Sequence, residues 1–127
     1  MSVSVLLVED SALVVGALHL LLSERGFAVQ AASGVREAIE ACRHKVPDVM
    51  LLDLSLGDGS GLDVLAALAA PTRPRVTVAI TGHDERRVRE DCLRAGCRDV
   101  LVKPIDSMTL AGRISDWLAE EEHRVRA

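Results

Sequence analysis

The chain has 127 residues, the length of one domain, and 49% hydrophobic residues is enough to build one core. A formal net charge of −4 and a sequence pI near 5.5 speak against a nucleic-acid surface, and 27% charged residues against general disorder. The N-terminal "MSVSVLLVED" has no basic region, and its apolar run stops after six residues at Glu9. It reads as neither signal peptide nor membrane span, so a cytoplasmic location is expected.

Five short apolar runs then recur, each followed by a helix-length stretch. "VSVLLV" (3–8) leads into a helix opened by Asp10 or Ser11 and closed by Gly26. "FAVQAA" (27–32) leads into one opened by Ser33 and ended before Pro47, and "DVMLLD" (48–53) into one begun by Gly61 before Pro71. "RVTVAI" (75–80) precedes a helix capped by Asp84 and ended at Gly96, and "RDVLV" (98–102) one capped by Asp106 or Ser107 and containing Trp117. The runs are rich in leucine and β-branched residues and lack sustained alternation, as strands covered on both faces do. Five βα units predict right-handed crossovers and an α/β fold: a doubly wound, open five-stranded parallel sheet with helices on both faces, spanning residues 1–127 as one domain. Cys42, Cys92 and Cys97 are odd in number and form no CxxC, so reduced, half-buried thiols are expected rather than a disulfide framework or closed zinc site. Leu110, Ile114 and Trp117 sit at helical spacing and read as core.

Parallel strands point their C-terminal ends to one edge, so residues distant in sequence meet there. Glu9 and Asp10 follow the first strand, Asp53 ends the third, Thr81 follows the fourth, and Lys103 with Pro104 follows the fifth. Three clustered carboxylates repel one another and call for a neutralising cation. Oxygen-only ligands with room for water and a phosphoryl oxygen suit Mg²⁺, with Mn²⁺ as a substitute.

The stretches "VED", "LLDLSLGDGSGLDVL", "AITGHDE" and "VLVKPID" stand in this order, with gaps of 43, 28 and 22 residues from Asp10 through Asp53 and Thr81 to Lys103. The constellation resembles the receiver domain of bacterial two-component response regulators, of the chemotaxis-regulator type, over nearly the whole chain. That resemblance implies the flavodoxin-like strand order 2-1-3-4-5. It implies Asp53 as phosphoacceptor, taking a phosphoryl group from a sensor histidine kinase or a histidine phosphotransfer protein. It implies Mg²⁺ held by Asp10, Asp53 and the backbone carbonyl of Ser55, with Glu9 contributing through water. Lys103, at a Lys103–Pro104 bend that is cis in many members, would pair with Asp53 and then with a phosphoryl oxygen, and the Thr81 hydroxyl would donate to another. The domain is then a signalling switch or phosphate shuttle that assists its own phosphorylation and dephosphorylation, rather than an enzyme.

Three features depart from the pattern. Val100 stands where the family has an aromatic ring that swings inward, so a signal at the face of the fourth helix, fifth strand and fifth helix is expected to travel by movement of the loop from 81 to 84. In receivers the side chains two residues beyond the phosphoacceptor and beyond the threonine border the path of the hydrolytic water; here these are Ser55 and His83, neither carboxylate nor amide. They are expected to tune the phosphorylated lifetime. The first helix, "SALVVGALHLLLSERG", is apolar over about 220°, far wider than one sheet needs. Val15 and Leu20 are therefore expected to be exposed and to dock a kinase, a phosphotransfer protein or a second receiver.

The chain shows no output domain, which predicts a single-domain receiver. A receiver cut from a longer DNA-binding regulator and a phosphorylation-independent pseudo-receiver are the rivals. The latter loses the acidic pair, the aspartate or the lysine, and all are present here. A nucleotide- or flavin-binding enzyme of the same shape is disfavoured by Glu9 and Asp10, which would repel a pyrophosphate.

Overall fold

A computed structural model describes residues 2–83 and 85–126. Five strands, β1 (Ser4–Val8), β2 (Ala28–Ala32), β3 (Val49–Asp53), β6 (Val76–Thr81) and β7 (Asp99–Val102), form one sheet in the order β2-β1-β3-β6-β7, every neighbouring pair parallel. Counted among themselves these strands run 2-1-3-4-5, as expected. Each begins one residue later than its apolar run, and Thr81 is the last residue of β6 rather than a follower of it. Between them lie α1 (Ala12–Glu24), α2 (Val35–His44), α3 (Leu62–Ala67) and α4 (Arg86–Ala95), and α5 (Ser107–Arg126) follows β7. No helix among the described residues is long and apolar enough to cross a membrane.

Side chains alternate across the sheet and feed two cores. Val5, Leu7, Leu51, Val78 and Ile80 face α1 and α5, meeting Leu18, Leu22, Leu110, Ile114 and Trp117. Leu6, Val8, Met50, Leu52 and Ala79 face α2, α3 and α4, meeting Ala38, Cys42, Val64, Leu65 and Cys92. Burial on both faces explains why β3 is apolar without alternation. Cys42, Cys92 and Cys97 are free thiols, and all three are fully buried rather than half-buried. The reason is their place on the inner sides of α2 and α4 and at the turn into β7, where they behave as small hydrophobes.

Local punctuation follows the sequence in most places. Ser11 caps α1 and accepts from Val14 N at 3.4 Å, and Gly26 ends it with φ +91°. Asp106 accepts from Met108 N at 3.2 Å at the start of α5. Ser33 does not cap α2. Its hydroxyl donates to Glu37 at 2.8 Å, Gly34 occupies the cap position, and the capping carboxylate comes from Asp58, 23 residues away. The expected cap at Asp84 lies outside the described residues, and Glu85 precedes α4 in extended conformation.

The glycine-rich stretch after Asp53 forms a small antiparallel hairpin, β4 (Ser55–Leu56) with β5 (Gly59–Ser60), which the apolar pattern is too short to announce. It ends at Gly61, where a Cβ would stand 2.2 Å from the Asp53 carbonyl oxygen. Only glycine fits beside the end of β3.

Candidate functional site

Backbone hydrogen bonds draw the carboxyl ends of the strands together. Glu9 N donates to Ala32 O at 3.0 Å, Leu54 N to Ile80 O at 3.0 Å, and Lys103 N to Thr81 O at 2.8 Å. Rigid strand ends therefore present Asp53 and Thr81, with Glu9 and Asp10 the first and second residues beyond β1 and Lys103 the first beyond β7. Oxygens of Glu9, Asp10 and Asp53 all lie within 4.8 Å of one another. Asp53 is 1% and Glu9 7% exposed, while Asp10 faces solvent. Lys103 Nζ sits 2.8 Å from Asp53 Oδ2 and 3.9 Å from Glu9 Oε2, and the Lys103–Pro104 peptide is cis.

One ammonium faces three carboxyl groups, and their protonation reflects it. Burial, reinforced by a hydrogen bond with Asp53, pushes Glu9 up to about 7, against the pull of the Ser11 N–H. Burial would raise Asp53 as well. Hydrogen bonds from Glu9, from Lys103 and from Ser55 N at 2.8 Å overcome that and hold Asp53 below the usual carboxylate range. The shared proton therefore rests on Glu9. Lys103 is raised by its bond to Asp53, so it is a firm cation. An all-oxygen cluster that keeps a proton near neutral pH to relieve its own repulsion is a fitting seat for a hard divalent ion.

Two further groups frame the cluster. The Thr81 hydroxyl, 5% exposed, accepts from His83 N at 3.1 Å, which leaves its own proton available for donation. Ser55 and His83 are both exposed. Val100 is buried on β7 and fills the α4 side of the sheet. Beside Glu9 and Lys103 opens an apolar hollow of about 670 Å³ lined by Leu13, Val14, Ala17, Pro104 and Ile105. The apolar face of α1 is thus only partly covered. Leu13 is 85%, Leu20 62% and Val14 37% exposed. Val15, expected to be exposed, is half-buried because it falls on the same side of the helix as the buried Leu18 and Leu22, and Leu13 and Val14 take its place at the surface.

The sequence profile of the response regulator receiver domain matches residues 5–115. The chain belongs to the receiver domain family of two-component response regulators. This receiver domain is 34% identical over 104 residues to the acid tolerance regulatory protein ActR of Sinorhizobium medicae, covering 82% of the chain and 54% of the relative. It is 33% identical over 101 residues to the regulatory protein LuxO of Vibrio vulnificus, covering 80% of the chain and 22% of LuxO. The chain spans about half or less of the length of these relatives. The signal receiver domain of a LuxO repressor from Vibrio parahaemolyticus superposes with a TM-score of 0.87 at 26% identity, covering 98% of this chain and 95% of that one. A CheY-like receiver from Methanospirillum hungatei superposes with a TM-score of 0.88 at 23% identity, over 98% and 99% of the two chains, and shares the fold. Receiver domains bind Mg²⁺ in general and take phosphoryl groups from kinases. The acidic cluster, the aspartate and the lysine are all present in this one.

Proposed function

We propose that Asp53 is the phosphoacceptor of a phosphorylation-dependent switch, or of a phosphate shuttle, in a two-component pathway. The observation that carries this reading is a buried, ionised Asp53 whose Oδ2 lies 2.8 Å from Lys103 Nζ within a cluster of three carboxyl groups. Glu9, Asp10, Asp53 and the Ser55 carbonyl would hold Mg²⁺ or Mn²⁺. When bound, the ion supplies positive charge that lets two anions approach each other. An oxygen of Asp53 attacks the phosphorus of a phosphohistidine on a kinase or phosphotransfer protein. The P–N bond breaks, and the histidine departs with the electron pair of that bond. Lys103 exchanges its carboxylate partner for a phosphoryl oxygen, so its charge is never left bare. Thr81 donates its free hydroxyl proton to another phosphoryl oxygen and draws the loop after β6 inward, biasing a two-state domain. With valine at 100, that loop movement is the signal.

The apolar hollow beside Lys103 is the proposed docking place for the donor, with Leu13, Val14 and Leu20 making the contact on α1. Leu13→Asp should weaken transfer from the cognate kinase and leave acetyl phosphate uptake intact; equal loss of both would remove the docking role. His83 and Ser55 are proposed to govern how fast the acyl phosphate meets water. Cytoplasmic location and receiver–receiver pairing belong to the same reading.

The deciding experiment is intact mass after incubation with acetyl phosphate and Mg²⁺, beside Asp53→Asn and a chelator. The expected result is gain of one phosphoryl group that needs both Asp53 and the metal. No gain in a folded protein would favour a phosphorylation-independent binding module.

A further inference from the structure

Asp58 sits on the exposed turn of the β4–β5 hairpin, and the phosphotransfer chemistry above does not use it. Its carboxylate nevertheless reaches another element. Oδ1 accepts from Val35 N at 2.8 Å and Oδ2 from Arg36 N at 3.3 Å, the first two residues of α2. Those two bonds hold Asp58 below the usual carboxylate range. The approach depends on residue 34 having no side chain, since a Cβ there would stand 2.7 Å from Asp58 Oδ1. Gly34 has ordinary extended dihedrals, so a side chain there would disturb the seat of the Asp58 carboxylate and not the backbone.

The hairpin that Asp58 ties down is the support of Asp53. Ser55 pairs with Ser60 and Leu56 with Gly59, and Ser55 N donates to Asp53 Oδ1 at 2.8 Å. A ribbon of two residue pairs has little stability of its own, so an external tie decides where it sits. The tie lands at the β2–α2 junction, where Ala32 O also receives Glu9 N. One short segment, residues 32–36, thus anchors both halves of the acidic cluster.

We propose that Asp58 is a positioning residue for Asp53, clamping the hairpin onto the first turn of α2 so that the Ser55 N–H stays on one oxygen of the Asp53 carboxylate. The other oxygen is held by Lys103. With both fixed, the carboxylate is aligned before a donor arrives, which is where positioning contributes to rate. The proposal rests on Asp53 as phosphoacceptor.

The test uses Asp58→Ala, Asp58→Asn, Gly34→Ala and the Gly34→Ala/Asp58→Ala double variant in the whole chain. Two quantities are measured: amide hydrogen exchange at Ser55 in metal-free protein, and the rate of phosphorylation by acetyl phosphate with saturating Mg²⁺. Asp58→Ala should speed Ser55 exchange about tenfold relative to the amides of β3, and slow phosphorylation by a comparable factor. Asp58→Asn, which keeps an oxygen for Val35 N, should recover part of both. Gly34→Ala should reproduce the loss while Asp58 is present and add nothing once it is alanine, because the clash then has no partner. If Asp58→Ala loosens only the first turn of α2 and leaves Ser55 exchange and phosphorylation unchanged, Asp58 is a helix cap and the proposal is overturned. Wild type that takes up no phosphoryl group would overturn the phosphoacceptor reading, while Ser55 exchange would still decide the clamp.

Discussion

Two aspartates flank β3, five residues apart, and their surroundings are opposite in kind. Asp48, at the amino edge of the sheet, is matched donor for acceptor. Its Oδ2 accepts from Ser4 N at 2.9 Å and from the Ser4 hydroxyl at 3.2 Å, and its own N–H lies within hydrogen-bonding reach of the Ser4 hydroxyl and carbonyl. Asp53, at the carboxyl edge, is almost wholly buried beside a second buried carboxyl, with one ammonium for the cluster. A carboxylate closed off by neutral donors is finished as chemistry and serves to join β1 to β3. One left with more negative charge than its surroundings neutralise is poised to take a cation and to react. Sequence position at a strand end does not distinguish the two; the number of like charges around each does.

The comparison can be broken most directly at Lys103. Lys103→Ala removes the cation that faces Asp53, and phosphorylation by acetyl phosphate should slow by roughly a hundredfold with the fold intact, as read by intact mass over time and by circular dichroism. A rate within a factor of two of wild type would show that Lys103 only balances charge at rest.

A pH series sharpens it. Glu9 holds its proton up to about 7 in the fold and only up to 4.5 in a free chain. The folded state binds that proton more tightly, so Glu9 contributes stability that is fully present below pH 4.5 and is lost as pH rises through about 7. In chelator, the unfolding free energy of wild type minus that of Glu9→Gln should fall across that window, by about 3 kcal/mol in total. Added Mg²⁺ needs the ionised carboxyl, so its stabilising effect should grow over the same interval. A pH-independent difference would refute the proton sharing.

Asp48→Ala is the opposite experiment. It should lower stability by about 1–3 kcal/mol, because Ser4 loses its partner in a half-buried site, and leave the phosphorylation rate per folded molecule unchanged. The smallest expected effect is at His83. If its side chain shields the phosphoryl group, His83→Ala should hasten dephosphorylation by roughly threefold, followed by intact mass after removal of the donor. An unchanged rate would return His83 to an ordinary exposed loop residue.

Much of the site was legible because it rests on chain order. Apolar runs without alternation mean strands covered on both faces, strands separated by helices mean parallel pairing, and parallel pairing brings Glu9, Asp10, Asp53, Thr81 and Lys103 to one edge. What the pattern missed are contacts between segments whose partners share no periodicity. The Asp58 carboxylate capping α2 in place of Ser33, and the hairpin that carries it, cross from one βα unit to another. Burial along α1 was misjudged at Val15 for a related reason. A helix apolar nearly all round does not say which side meets the sheet, and the positions of Leu18 and Leu22 over β1 and β2 settle that.

The amino-acid sequence by itself determined the five βα units, the parallel sheet, the two-sided core and the residues that gather at its carboxyl edge, because hydrophobic period and turn chemistry are local. Only the tertiary structure decided which carboxyl keeps a proton, which apolar side chains of α1 remain uncovered, and that residue 34 must lack a side chain so that Asp58 can reach across. Those depend on distances between segments, which electrostatics and packing set only once the chain has folded.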